Sequence, residues 1–308
     1  MRNYYRIMLG QGSRYAQEAF ENNFVGVGWL DEINFTGKAP DNWRKFNEKY
    51  IPVYLERHLD KSKIAAGLAC GMLYTIIKGI SQGDIVICPD GEGKYLVGEV
   101  IGDYEYNYNK NLPHCRPVRW CNSKIKKEEM SKSLQNSAGA KGTVINISKY
   151  GEEIESLILG KKPPSGIATE TIEDDSVFAL ETHLEEFLVQ NWQRTKIGKE
   201  YDIYTENGEI IGQQFPTDTG PIDILAVSKD GKKLLVVELK KGRSIDAVVG
   251  QIQRYMGYVK DELAKDEQEV CGVIIAFEDD VKIQRALSVA SGIEFYTYTV
   301  NFTLHKKK

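Results

Sequence analysis

Two apolar runs with ionisable residues set into them constrain this chain more than any other feature: Gly220-Pro221-Ile222-Asp223-Ile224-Leu225 and Leu235-Val236-Val237-Glu238-Leu239-Lys240. Their Val, Ile and Leu flanks read as strands buried on at least one face. Between them lies Lys229-Asp230-Gly231-Lys232, and Asp-Gly between two apolar runs is a strong hairpin signal. A hairpin closed there brings Asp223 and Glu238 together at one end of a sheet. Two carboxylates in an apolar wall repel and are poorly solvated, so keeping both ionised requires a compensating cation. A divalent metal with oxygen ligands meets that requirement. Side chains alternate along a strand, so Glu238 and Lys240 face one side and Lys241 the other. Asp, Glu and Lys pointing into one space is the chemistry of metal-assisted phosphodiester hydrolysis. A Glu-x-Lys pair alone is ordinarily a solvated strand face; the Asp, the hairpin and the apolar flanks set this one apart.

At 308 residues the chain is long enough for two domains, each with its own core. A net charge of −4 and a pI near 5.8 exclude a global basic field, so nucleic-acid contact must rest on local patches such as Lys124–Lys127, Lys240–Arg243 and Lys306–Lys308. Five cysteines, Cys70, Cys88, Cys115, Cys121 and Cys271, lack framework spacing and argue for reduced thiols in the cytoplasm. His114, Cys115 and Cys121 lack the paired Cys-x-x-Cys of a zinc site and read as structural. Arg2-Asn3-Tyr4-Tyr5 leads into no long apolar run, so no signal peptide is expected. No apolar stretch approaches membrane-spanning length, so no membrane association is expected.

The first half reads as strands, two aromatic or apolar helices (Asp41 to Leu59 and Ala65 to Lys78), and then short strands alternating with Gly- and Asp-rich turns from Gln82 to Tyr104. That alternation predicts a small antiparallel barrel, continued by His114 to Trp120. Ser123 to Leu134 reads as a basic, helix-like run, and Tyr150 to Leu159 as a helix. The stretches Gly26-Val27-Gly28-Trp29, Gly83-Asp84-Ile85-Val86, Leu96-Val97-Gly98-Glu99-Val100 and Arg116-Pro117-Val118-Arg119-Trp120 resemble PUA/EVE-like domains found fused to restriction-type nucleases. The resemblance implies nucleic-acid binding, with Trp29, Trp120, Tyr104 and Tyr106 as candidates to stack on an extruded base. The ordinary alternative is that both tryptophans are core.

Gly160-Lys161-Lys162-Pro163-Pro164-Ser165-Gly166 and the polar run after it mark a linker. The expected domains are therefore residues 1–160 and 177–308, joined by 161–176. Phe178 to Trp192 has helical period, and any of Glu181, Glu185 and Glu186 is a candidate to look into the sheet. Asn207-Gly208 marks a hairpin turn. Ser244 to Leu263 reads as a second helix. On it Gln251 and Tyr255 share a face, and Arg254, one residue off that face, is a candidate phosphate contact with Lys241 and Arg243. Val270 to Phe277 is a strand, Asp280 to Ala290 a helix and Gly292 to Phe302 a last strand. A mixed sheet with helices on both faces fits this order.

The ordered motifs Leu180-Glu181-Thr182-His183-Leu184-Glu185, Gly220-Pro221-Ile222-Asp223, Val237-Glu238-Leu239-Lys240 and Gln251-x-x-x-Tyr255 resemble the PD-(D/E)XK nuclease superfamily. Within it they are similar to the catalytic domain of NucS-type (EndoMS) mismatch endonucleases. The resemblance implies Asp223 and Glu238 as ligands of Mg2+ or Mn2+, and Glu181 as the helix carboxylate and a further ligand. It implies Lys240 as catalytic lysine, and Gln251 and Tyr255 as the helix pair beside them. The fold expected is α+β to α/β: a PUA/EVE-like β-barrel with helices, then a restriction-endonuclease-like mixed sheet flanked by helices. The function expected is a metal-dependent DNA endonuclease of restriction type, its DNA selected by the first domain. DNA is the expected partner and a homodimer the candidate assembly. A mismatch or branched-DNA repair endonuclease is the alternative enzyme, and a nucleic-acid-binding protein with an inactive nuclease fold the alternative of another class.

Overall fold

Seven strands pair in the first unit, Met1–Asp175: β1 (Tyr4–Ile7), β2 (Phe24–Val27), β3 (Ile85–Pro89), β4 (Lys94–Val100), β5 (Glu105–Tyr106), β6 (His114–Lys126) and β7 (Val144–Asn146). This is a computed structural model, and it describes residues 2–140, 142–160, 184–185, 187–206, 209–240, 248–265, 267–279 and 281–299. The sheet order is β2-β6-β4-β3-β1-β7, with β5 on β6, and the sheet curls into a half-barrel. The strand-and-helix character expected of this half holds. The sheet differs from a closed antiparallel barrel in two respects: β1 pairs with β3 in parallel, and β2 and β7 end the path. The basic run Ser123 to Leu134 is also not one helix. Its first residues extend β6, because Lys124, Ile125 and Lys126 alternate out, in and out against β4, the period of a strand.

Among the described residues, the α-helices that accompany this sheet are α1 (Ala16–Glu21), α2 (Trp43–Arg57), α3 (Lys63–Tyr74), α4 (Lys132–Gly139) and α5 (Gly151–Ile158). The side chains of Asn42 and Ser62 cap α2 and α3 by accepting from Lys45 N and Ala65 N, which satisfies otherwise orphaned donors. One core gathers Ile85, Ile87, Val97 and Ile125 of the strands with Leu134 of α4 and Ile154 of α5. Two arginines are buried within the unit. Arg116 donates to Ile76 O and Ile77 O, each at 2.7 Å, in the π-helical turn Thr75–Gly79 that ends α3. A cation there meets carbonyls left unpaired at a helix C-terminus. Arg6 donates to the carbonyls of Ala140, Gly142 and Thr143, and burial lowers its pKa to about 10.

The second unit, Ser176–Lys308, holds β8 (Tyr201–Ile203), β9 (Thr205–Glu206), β10 (Glu209–Ile210), β11 (Gln213–Thr217), β12 (Gly220–Ser228), β13 (Lys233–Lys240), β14 (Glu269–Ala276) and β15 (Ile293–Thr297). The main sheet runs β11-β12-β13-β14-β15, and β8 also pairs with β12. β12 and β13 form the hairpin read from Asp230-Gly231. Gly231 takes a φ of 73°, and the Asp230 carboxylate accepts from Ser228 Oγ and Lys232 N. β9 and β10 pair Glu206 with Glu209; the turn expected at Asn207-Gly208 lies outside the described residues. β13, β14 and β15 are parallel, and the segment between β13 and β14 carries α6 (Val248–Tyr258), with a further helix α7 (Val281–Leu287) between β14 and β15. Ile224, Ala226, Val237 and Leu239 share one face of the sheet with Leu184 and Trp192. On strand alternation Asp223, Glu238 and Lys240 belong to the other face. The expected linker, residues 161–176, lies outside the described residues.

Candidate active site

The β12–β13 ladder pairs Ile224 with Val237, so Asp223 and Glu238 come next, across from each other. Asp223 replaces part of the ladder: its Oδ2 accepts from Leu239 N at 2.8 Å. Glu238 is only 3 % exposed, and an isolated carboxylate at that depth is costly. Lys240, on the same face, brings its ammonium to 3.4 Å from Glu238 Oε1. Its Nζ also donates to Gln251 Oε1 at 3.1 Å.

Gln251 arrives on α6, whose apolar side buries Val248, Ile252 and Tyr255. The four-residue spacing puts Gln251 and Tyr255 together, and Gln251 Nε2 donates to the Tyr255 hydroxyl at 3.3 Å. Burial is the main cause that raises the Tyr255 pKa, with Glu238 and Asp223 adding to it against the Gln251 hydrogen bond. The phenol is therefore neutral at physiological pH. Gly220, which opens β12, has a φ of 126°, and a Cβ there would lie 3.0 Å from the Tyr255 hydroxyl. Both the backbone and the space call for glycine.

On the first helix of this unit, residues 184–185 and 187–191 are described as helical. Glu185 approaches the sheet: its Oε1 accepts from Gln213 Nε2 at 2.8 Å and its Oε2 from Gln214 Nε2 at 2.7 Å. Gln214 Nε2 also donates to Asp223 Oδ1 at 3.0 Å. Gln213 and Gln214 had no place in the sequence reading. A pair of amides at the start of an apolar strand, ten and nine residues before an Asp, was the signal. Arg254 is exposed on α6, and its charge opposes the rise of the Tyr255 pKa. Glu181, Lys241 and Arg243 lie outside the described residues. The structure thus brings together Asp223, Glu238, Lys240, Gln251 and Tyr255, with Glu185 reaching Asp223 through Gln214.

Among the described residues, no three His, Cys, Asp or Glu side chains form a group that holds a metal ion by itself. Mg2+ does not require one, since it keeps several waters and is commonly held by one or two carboxylates plus substrate phosphate. The buried Glu238 facing Asp223 fits that donor set.

Of the aromatic candidates of the first unit, Tyr104 and Tyr106 meet at His114, the Tyr106 ring 5.5 Å from it. Trp29 is half-buried in the turn after β2. Trp120, also half-buried, donates from Nε1 to Ala19 O at 3.3 Å, and its ring lies 5.9 Å from that of Phe20. Tyr106 donates to Asp31 O at 2.7 Å. Tyr104 stacks on His114, centroids 6.0 Å apart, and its hydroxyl lies 2.8 Å from His114 Nδ1. The other ring nitrogen, Nε2, is 3.2 Å from Leu30 O. A carbonyl only accepts, so Nε2 carries the hydrogen and Nδ1 accepts from Tyr104. Burial lowers the His114 pKa to about 4, consistent with a neutral ring.

The family model described as the Endonuclease NucS C-terminal domain matches residues 181–302. Residues 5–148 match a family described as a domain of unknown function, DUF8426. Endonuclease NucS of Corynebacterium efficiens is 35 % identical over 120 residues, covering 38 % of this chain and 45 % of that protein. Endonuclease NucS of Corynebacterium glutamicum is 34 % identical over 155 residues, covering 49 % and 56 %. The chain thus spans about half the length of the curated relatives it matches. Solved structures are similar as well. A repair endonuclease from Pyrococcus abyssi (16 % identity, TM-score 0.30) covers 68 % of this chain and 66 % of its own. An EndoMS–dsDNA complex (14 % identity, TM-score 0.31) covers 66 % and 60 %. No described helix is long and apolar enough to cross a membrane. By its family match and its relatives, the second half of this chain is similar to the C-terminal domain of the NucS endonucleases.

Proposed function

We propose that this protein is a metal-dependent DNA endonuclease. The observation that carries the reading is the placement of Lys240. Its ammonium is held between Glu238 Oε1 and Gln251 Oε1, on the strand face that also carries Asp223. Asp223 and Glu238 would hold Mg2+ or Mn2+. When bound, such an ion polarises the phosphate and eases deprotonation of water. The chain's own residues do the rest. Leu239 N–H fixes the Asp223 carboxylate. Tyr255 and Gln251 fix Lys240, whose compact charge orients the attacking water and offsets negative charge growing on the phosphoryl oxygens. Lys241, Arg243 and Arg254 are proposed phosphate contacts.

The relatives' name, Endonuclease NucS, supports DNA as substrate for the second unit. The first unit is proposed to select the DNA, in the manner of a restriction-type enzyme that reads a modified base, with Trp29, Tyr104, Tyr106 and Trp120 nearest to that task. Because the shared half is the NucS-like one, a mismatch or branched-DNA repair endonuclease is the second reading.

One digestion series tests both. Plain, mismatched, branched, methylated and hydroxymethylated duplexes, and an RNA duplex, are incubated with the full chain in Mg2+ and in EDTA. Cleavage of DNA in Mg2+ alone is expected, lost in Asp223→Ala and in Glu238→Ala while DNA binding persists. Cleavage that continues in EDTA overturns the metal site. The duplex cut fastest separates the restriction-type from the repair reading.

A further inference from the structure

The amide of Gln214 stands between Glu185 and Asp223, donating to Glu185 Oε2 at 2.7 Å and to Asp223 Oδ1 at 3.0 Å. Its neighbour Gln213 donates to the other oxygen of the same Glu185. In a regular strand, successive side chains point to opposite faces, so two adjacent glutamines should not reach one carboxylate. The backbone explains how they do. Gln214 has a φ of 51°, in the left-handed region that a non-glycine residue occupies at a cost. Gln213 pairs with Ile224 and Phe215 with Ile222; Gln214 lies between these pairs, across from Asp223. The entry to this strand is equally particular. Gly212 receives Leu225 N in a 2.7 Å hydrogen bond, and a Cβ on it would lie 2.1 Å from Leu225 O. The left-handed turn at Gln214 is thus built into the sheet edge, and its result is one amide shared by two carboxylates.

We propose that Gln214 is a positioning residue for Asp223, and that Glu185 acts through Gln214 rather than as a third metal ligand. The role rests on the metal-site reading proposed above. Asp223 is hydrogen-bonded at both oxygens, by Leu239 N at Oδ2 and by Gln214 at Oδ1, which fixes the plane of the carboxylate. Among the described residues no three carboxylates form a cation group, in keeping with a Glu185 one step removed. The chemistry also favours an amide. Its NH2 offers two donors without a charge, so it joins two carboxylates without competing with a cation for them. Groups that orient a metal ligand in this way are commonly worth roughly 10- to 100-fold in metal affinity.

The test uses the full chain and compares wild type with Gln214→Gly, Gln214→Asn, Glu185→Ala and the double variant Gln214→Gly/Glu185→Ala. Gly and Asn both suit a positive φ. Gly removes the amide, and Asn keeps one that is a methylene too short. Mn2+ binding is read from the free-ion electron paramagnetic resonance signal, and melting temperature is measured without metal. Both Gln214 variants are expected to weaken Mn2+ binding by roughly 10- to 100-fold, while the melting temperature of Gln214→Gly holds or rises because strain is relieved. Glu185→Ala is expected to weaken binding by a similar factor, and the double variant no further, because the two residues act in series. Unchanged Mn2+ affinity in Gln214→Gly overturns the proposal, whatever happens to the melting temperature. Losses that multiply in the double variant overturn the series and make Glu185 a ligand. A wild type that binds no Mn2+ and cuts DNA in EDTA is a different failure: it removes the metal site itself, and the role of Gln214 with it.

Discussion

Lys240 is the residue on which the proposed chemistry turns. It is linked to Glu238 and Gln251. Lys240→Ala is expected to lose cleavage by on the order of 10²-fold or more, the usual cost of removing one transition-state group, while metal and DNA affinity persist. Lys240→Arg should rescue poorly, because a planar guanidinium cannot place one compact charge at the same point. Single-turnover cleavage rates beside filter-binding measurements of DNA affinity check both. Loss of cleavage in Lys241→Ala with activity kept in Lys240→Ala would reverse the assignment. At this scale much was legible in the sequence. Strand alternation put Glu238 with Lys240, and helical spacing put Gln251 with Tyr255. The helix carboxylate was not legible by spacing alone, since positions three and four apart share a helix face, and the chain offers Glu181, Glu185 and Glu186. Glu185 is the one whose oxygens meet Gln213 and Gln214; the other two lie outside the described residues. Gln214 escaped because sequence periodicity assumes regular strand dihedrals, and its φ is 51°.

Among the elements, the hairpin of β12 and β13 was readable because its turn chemistry is local: Asp230-Gly231 closes two neighbouring runs. The curled sheet of the first unit was not, because β1 pairs with β3 and with β7, partners far along the chain that no local pattern names. The same sheet holds a titratable device at β6. His114 is fully buried between Tyr104 and Leu30 O, and its pKa of about 4 lies below the ordinary 6.5 because of burial. The unfolded chain gains the proton near 6.5 and the folded chain only near 4. Stability supplied by the neutral ring is therefore complete above about pH 6.5, declines as pH falls to about 4, and changes no further below. At most about 3 kcal/mol is at stake. His114→Gln, which does not titrate, should lower stability at neutral pH but flatten this part of the profile. Urea unfolding at a series of pH values from 7.5 to 4, compared between the two proteins, decides it; identical slopes would remove His114 as the cause.

On the scale of the whole molecule, the chain divides into Met1–Asp175 and Ser176–Lys308, the units to which selection and cutting are assigned in the proposed function. DNA binding by the first unit alone is the corresponding expectation. A fragment of residues 1–160 should bind duplex DNA and retain the modification preference of the full chain, and Trp29→Ala should weaken the preference more than the affinity for plain DNA. Gel-shift titrations with modified and plain duplexes measure this. A fragment that binds neither makes the first unit a protein-interaction or structural module.

The segregation of strand pairing also has a consequence for biosynthesis. Every pairing of β1 to β7 is made within the first unit, and every pairing of β8 to β15 within the second. β7 ends at Asn146, so the first sheet can close once that residue has left the ribosome. The segment Ser176–Lys308 then needs on the order of ten seconds more, at roughly 5–20 residues per second. A nascent chain of this protein can therefore close its first sheet while Asp223, Glu238 and Lys240 are still untranslated. The Asp223–Glu238–Lys240 cluster has no moment of existence on a chain whose first sheet has not had time to form.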